Sequence, residues 1–398
     1  MVVGSRDAPS IADGAIVLES DGKTLAAVGP KFELVAQFPD ARFESHHGVL
    51  IPGLINASVT LEDEGLAAVG GQGYFAHDLA LARARAERAD EVDVDALKRR
   101  CGKLRETGTV AAGVVSTTLL DANAIRESGI IARVFHPVRG MREETAAVML
   151  QLADELVRER GNSLRVQRSL HSLYALHPKA VTVVISDATE ADARILVPLC
   201  TGAVERASLL DAPNPFDSLL SASPDNARDW PSPACDPISY ATQLDALSAR
   251  TFVSGLIDAT AGELGRIAAW TQLAGVTPRQ DLFTDARMPD VATMLALGLE
   301  VAVGTGSVAV VPDVDVLEEV RAIAARFPQF SAAGLLPLAM EHGARALGVD
   351  ARLGSLRPGK SPGVLLVESK TPVTSDPAAF VLREKRGARR LLVGASES

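Results

Sequence analysis

Two short strand-like stretches at the start of this chain and two more at its end enclose a long middle of alternating strand and helix patterns, and that frame limits the folds open to it. AIVLES and TLAAVG flank Asp21-Gly22, a pair suited to a tight hairpin turn because both residues tolerate positive φ. Short apolar runs then alternate with helix-length amphipathic segments. REETAAVMLQLADELVRERG carries apolar residues at helical spacing, acids early, arginines late and Gly161 as a stop signal. LRVQRSL, a helix over 178–194, ILVPLC, RTFVSGLI and a helix over 260–274 follow. PDVATMLALG, EVAVGTGS, a helix over 315–326 and SAAGLLPLAMEHGARALGV complete the series. Repeated strand–helix units imply a parallel sheet, and this many favour closure into a barrel. After residue 350, LGSLRPGKSPGVLLVES and AAFVLREKRGARRLLVG read as strands again. The expected fold is therefore α/β: a (β/α)8 TIM-like barrel (53–349) inserted in a small β-sandwich domain formed by 1–52 and 350–398. No short-period repeat is evident, and the Pro, Ser and Asp-rich stretch 213–237 reads as a long loop over one barrel face.

Composition removes several function classes. The 398 residues carry a net charge of −10, and no long basic run offers the phosphate-neutralising surface that nucleic acid requires. The cluster Arg383, Lys385, Arg386, Arg389 and Arg390 is short, interrupted by Glu384, and expected to be a solvated edge. Three cysteines without CxxC spacing argue against a disulfide framework and for a reducing compartment. No signal peptide and no apolar stretch of about 18 residues are evident, so a cytoplasmic chain with no membrane partner is expected. No GxSxG elbow, Walker loop or HExxH occurs. GTGSVA (304–309) fits a dinucleotide fingerprint by letter, but Pro312 disfavours the helix that would hold a pyrophosphate.

Several segments together resemble the amidohydrolase superfamily, in particular its nucleobase and aminofutalosine deaminase-like branch. VLIPGLINASVTLE is similar to that family's first barrel strand, which normally runs PG, two apolar residues and NAHTHLE. SLHSLYALHP resembles its PHSPYTVSP segment, VAVGTGS its VALGTDS strand, and HGARALGVDARLGSLRPGKSPGVLLVE the segment that closes the barrel. The resemblance covers nearly the whole chain. It implies hydrolysis of non-peptide C–N bonds by water on a divalent metal such as Zn or Fe, which lowers the pKa of that water from 15.7 to about 7. Imidazoles and a carboxylate hold such a metal, and a Glu shuttles the proton to the departing nitrogen.

Laid on that scheme, the family's metal and catalytic positions fall on Ser58 and Thr60, Pro198, Thr201, Ser254 before Gly255, and Gly306. Proline and glycine offer no side-chain donor, and neutral hydroxyls are poor zinc ligands. These substitutions lead to the expectation of a degenerate homologue with no metal or other cofactor, acting as a binding or partner subunit. Its expected partners are a small nitrogen-heterocycle ligand and either further copies of itself or an active relative. The alternative is an active hydrolase or deaminase that works on a cyclic amidine or nucleobase-like substrate through a non-standard site. His171, Tyr174, Arg279 and Asp281 match family positions near the substrate and are the candidate ligand-binding residues; Asp281 stands where the family has Asn. Asp258, Asp281, Asp285 and Glu62 form a conceivable replacement acid set at the strand ends. His46-His47 point opposite ways on a strand and cannot share a metal.

Overall fold

The structure is a computed structural model that describes residues 1–88, 93–161, 164–212, 228–373 and 376–397. Most of the 213–237 loop read from composition lies outside the described residues.

Its centre is a ring of parallel strands. One sheet holds β4 (Leu54–Thr60), β5 (Thr109–Val115), β6 (Ile131–Val138) and β7 (Arg165–Leu170), with the short β12 (Gly306–Ser307) added beyond β4. The second holds β8 (Ile195–Leu199), β9 (Thr251–Gly255), β10 (Leu273–Val276) and β11 (Glu300–Val303). β7 lies beside β8 and β11 beside β4, so the strands follow the cyclic order of an eight-stranded α/β barrel. The fold class read from the sequence therefore stands. Strands buried on both faces read as continuous apolar runs: all five residues of β8 are buried. Phe252 packs against Phe135 at 6.5 Å between ring centres inside the ring, with Ile55, Leu196 and Leu273 around them.

Both chain ends meet in one antiparallel sheet, ordered β14 (Arg389–Ala395), β13 (Pro362–Glu368), β3 (Gly48–Pro52). The hairpin of β1 (Gly14–Leu18) and β2 (Leu25–Pro30) shares a small apolar layer with it, built on Val2, Leu25, Leu356 and Val364. The hairpin turn is longer than Asp21-Gly22 alone suggests. Asp21 Oδ2 accepts from the Thr24 hydroxyl at 2.6 Å and Oδ1 from the backbone N–H of Lys23 and of Thr24, both at 2.8 Å, and these bonds hold its carboxyl down at about 2. Gly53 marks a close approach between sheet and barrel: a Cβ there would sit 2.4 Å from Val110 and 2.9 Å from the Pro362 carbonyl.

Several element boundaries differ from the periodicity reading. The helix expected over 260–274 is Ala261–Ala268, begun by a Thr260–Glu263 capping box, and 273–276 is β10. AAFVLREKRGARRLLVG begins as the helix Pro377–Arg383, because Asp376 caps it and Pro377 presets its first turn. The stretch 332–346 breaks into three short turns of helix around Pro337.

The basic cluster near the C-terminus is not a uniformly solvated edge. Arg389 is buried and its Nη1 donates to both Asp315 oxygens at 2.7 and 2.8 Å. Asp315 in turn caps the helix Val316–Arg326 by accepting from the Leu317 N–H at 3.0 Å. This pair fastens the last strand to the barrel, and removing one partner strands a buried charge. Arg389→Ala should lower unfolding stability by about 3–5 kcal/mol, measured by urea denaturation. A change under about 1 kcal/mol would mean that the pair is solvated.

Candidate functional site

Parallel barrels place their strand C-termini on one face, and the cavity lies there. About 130 Å³ is free inside it, with walls from the ends of all eight strands and from the helix Tyr74–Arg88. Ser58 and Thr60 come from β4, Thr117 follows β5, and Arg139 follows β6. His171 follows β7, Pro198 and Thr201 come from β8 and its end, and Ser254 from β9. Gln280 and Asp281 follow β10, and Gly306 lies in β12. The helix presents Tyr74, His77, Asp78, Leu81 and Arg85, a stripe at helical spacing.

The six positions singled out from the motifs are thus gathered in one cavity, and Pro198 pairs with Ser254 in the β8–β9 register. Of the four residues expected to bind ligand, His171 and Asp281 line the wall. Tyr174 and Arg279 do not belong to that lining. The Arg279 guanidinium is turned to Glu319 and Asp313, each bonded at 2.7 Å, because those acids flank the adjacent helix start. The conceivable acid set is split as well. Asp258 pairs with Arg206 at 2.7 Å and Asp285 with Arg287 at 3.1 Å, while Glu62 and Asp281 remain on the wall.

Three polar groupings organise the cavity. Glu62 accepts from the N–H and hydroxyl of both Thr117 and Thr118, at 2.6–3.1 Å. Asp63 accepts from Arg85 Nε at 2.7 Å and from the Ser307 hydroxyl at 2.6 Å, tying helix, β4 end and β12 together. His171 Nε2 meets Asp78 Oδ2 at 3.1 Å. Burial pushes the Asp78 carboxyl up, but the charge and hydrogen bond of His171, with Arg85 and Arg139, outweigh it and hold it at about 2.

Asp281 behaves oppositely. Burial pushes its carboxyl up to about 8, offset only in part by bonds from the Thr277 hydroxyl (2.9 Å) and N–H (3.3 Å). It is a neutral acid at pH 7 and a potential O–H donor. Glu205, four residues beyond Thr201, reaches back so that its Oε2 accepts from the Thr201 N–H at 2.6 Å and hydroxyl at 2.9 Å. Burial pushes Glu205 up to about 7. Sequence reasoning missed Glu205 and the helix residues His77 and Asp78. The i, i+4 step from Thr201 to Glu205 was a readable signal; the distance from Asp78 to His171 along the chain hid the other.

No protein-family model matches the chain. In fold, the chain is similar to amidohydrolase-type enzymes of known structure, and at that level the resemblance read from the motifs is borne out. An aminofutalosine deaminase from Helicobacter pylori, in complex with methylthio-coformycin, superposes with a TM-score of 0.83 at 18% identity over 97% of each chain. An adenosine deaminase from Xanthomonas campestris with bound zinc gives 0.75 at 17% identity, over 98% of this chain and 88% of that one. By sequence, the chain is 25% identical over 342 residues to the aminodeoxyfutalosine deaminase of Deinococcus radiodurans, spanning 82% of this chain and 80% of that relative.

These comparisons overturn the expectation that no cofactor is involved, since a structural neighbour of the same fold carries zinc. They lend no support to a degenerate protein either, because each of these proteins is named for a deaminase activity. A divalent metal is thus the group that this fold implies. The side chains at the motif positions do not fit it. Among the described residues no three His, Cys, Asp or Glu side chains gather to hold a metal. At Gly306 a Cβ would sit 2.2 Å from Gln280 Oε1, which accepts from the Ser307 N–H at 2.6 Å and fills the space that a ligating side chain would need.

The proton on Asp281 has a thermodynamic consequence. An unfolded Asp releases its proton near 3.9, whereas the folded one keeps it to about 8. Between about pH 4 and 8 the folded state binds the extra proton, so stability falls as pH rises, by up to about 1.4 kcal/mol per unit. Asp281→Asn should flatten that slope and raise the melting temperature at pH 8, measured by calorimetry from pH 5 to 8. An unchanged slope would place the proton elsewhere.

Proposed function

We propose that this chain belongs with the amidohydrolase-type deaminases and hydrolases and acts on a non-peptide C–N bond of a small nitrogen heterocycle, through acid–base residues of its own. The observation that carries the reading is the His171–Asp78 pair at 3.1 Å on the wall of the strand-end cavity. An ionised Asp78 fixes the tautomer of His171 by accepting from Nε2, which leaves Nδ1 to take a proton from an attacking water. Water oxygen bonds to the ring carbon, that carbon's bond to the amino nitrogen breaks, and the proton passes to the departing ammonia. The neutral Asp281 carboxyl, a wall residue, can donate to a ring nitrogen and draw charge from the carbon under attack. The relatives' deaminase names support the reaction class.

One observation favours a second reading, a binding or partner subunit without turnover. Ser58, Thr60, Pro198, Ser254 and Gly306 leave the centre of the cavity lined by small or neutral groups. Turnover separates the two. Ammonia release should be followed with nucleobases, nucleosides and cyclic amidines, with and without added divalent metal. Activity that falls about 10²–10⁴-fold in His171→Ala and in Asp78→Asn is the expected result. Saturable binding without ammonia release in any condition would establish the second reading instead.

A further inference from the structure

We infer that His77 is the specificity-determining acceptor of this cavity, and that it selects a ligand presenting an N–H donor, as an amidine or amino-substituted heterocycle does. The inference rests on the proposed heterocycle class and narrows it.

His77 stands one turn into the helix Tyr74–Arg88, is only 2% exposed and lines the cavity. Its Nδ1 lies 3.1 Å from the Val69 carbonyl. A carbonyl oxygen only accepts, so Nδ1 carries the hydrogen. Burial lowers the pKa of the imidazole, and the ring is neutral at pH 7. Nε2 is then a bare lone pair. It is buried and has no hydrogen-bond partner among the described residues.

An acceptor left unmatched in a buried site costs stability unless a donor arrives with the ligand. The surroundings hold the ring in place to meet one. Phe283 packs edge-on against it at 6.4 Å between ring centres, and the Val69 bond fixes its rotation. The charge nearby has the same preference, since Asp63 and Asp78 lie close enough to act on the imidazole and favour positive charge beside it. Arg85, bonded to Asp63, moderates that field without removing it. A donor N–H with partial positive character meets both demands. A ring nitrogen or carbonyl oxygen in the same place would set two lone pairs against each other. Such a mismatch discriminates more strongly than a lost apolar contact.

Two single-ring probes that differ only in the donor test this: 4-aminopyrimidine and pyrimidine. Affinities are measured by calorimetry on the full chain, and the histidine ring nitrogens are followed by NMR in [15N]histidine-labelled protein. The free protein should show a bare Nε2 for His77, and 4-aminopyrimidine should shift that signal. It should bind at least about ten-fold more tightly than pyrimidine, the size of one matched buried hydrogen bond. His77→Leu should erase the preference, bringing the affinities of the two probes within about two-fold of each other. His77→Gln, whose amide oxygen can still accept, should keep part of the preference. Equal affinities in the unaltered protein, or an Nε2 that already carries hydrogen, overturn the assignment of His77 and leave the heterocycle reading standing. Failure of both probes to bind overturns the two together.

Discussion

The cavity depends on one buried ion pair. Arg85, at the far end of the helix Tyr74–Arg88, donates to Asp63 just beyond β4, and Asp63 also holds the Ser307 hydroxyl of β12. This contact, with the Arg88 bonds to the Glu62 and Glu64 carbonyls, fastens the helix over the strand ends. Tyr74, His77 and Asp78 then face inward as a consequence of helical spacing. Asp63 is almost fully buried, which pushes its carboxyl up and makes the Arg85 charge necessary to it. An ion pair of this kind is weak as a source of stability but strong as a device that specifies one arrangement.

Around that pin the electrostatics divide the acids into two kinds. Asp78 stays ionised beside His171, and Glu62 is surrounded by four threonine donors. Burial pushes Asp281 up to about 8, so it keeps its proton at neutral pH, and pushes Glu205 up to about 7, where the Thr201 bonds and the Arg206 charge offset burial only in part. Carboxyls of both states near one cavity are what acid–base chemistry at neutral pH requires. The arrangement also has a cost, since protons held above the unfolded value reduce stability as pH rises.

Much of the frame was legible in the residues. Apolar runs and capped helices gave the barrel, and PGLINA with the LGSLRPGK ending placed both chain ends in one sheet. The resemblance of its motifs to those of the amidohydrolase superfamily singled out Ser58, Thr60, Pro198, Thr201, Ser254 and Gly306, which do converge on the cavity. What spacing could not reveal is direction. Arg279 sits at the right point of the chain, yet Glu319 and Asp313 draw its guanidinium away. Arg389 looked like one member of a solvated basic cluster until the fold set Asp315 against it. Asp376 and Pro377 start a helix where alternation alone suggested a strand.

The sequence by itself determined the α/β alternation and the strand character of both chain ends, because periodicity and local turn chemistry are short-range properties. The six strand-end positions came from the resemblance of its motifs to a known family. Only the tertiary structure decided which distant groups meet. It set Asp78 against His171, ninety-three residues away, and left His77 Nε2 without a partner among the described residues. It also placed Gln280 where a side chain at Gly306 would have to go. Each of these depends on the packing of separate elements at hydrogen-bond distance, and that packing is fixed by burial and charge pairing across the whole barrel, which no local pattern encodes.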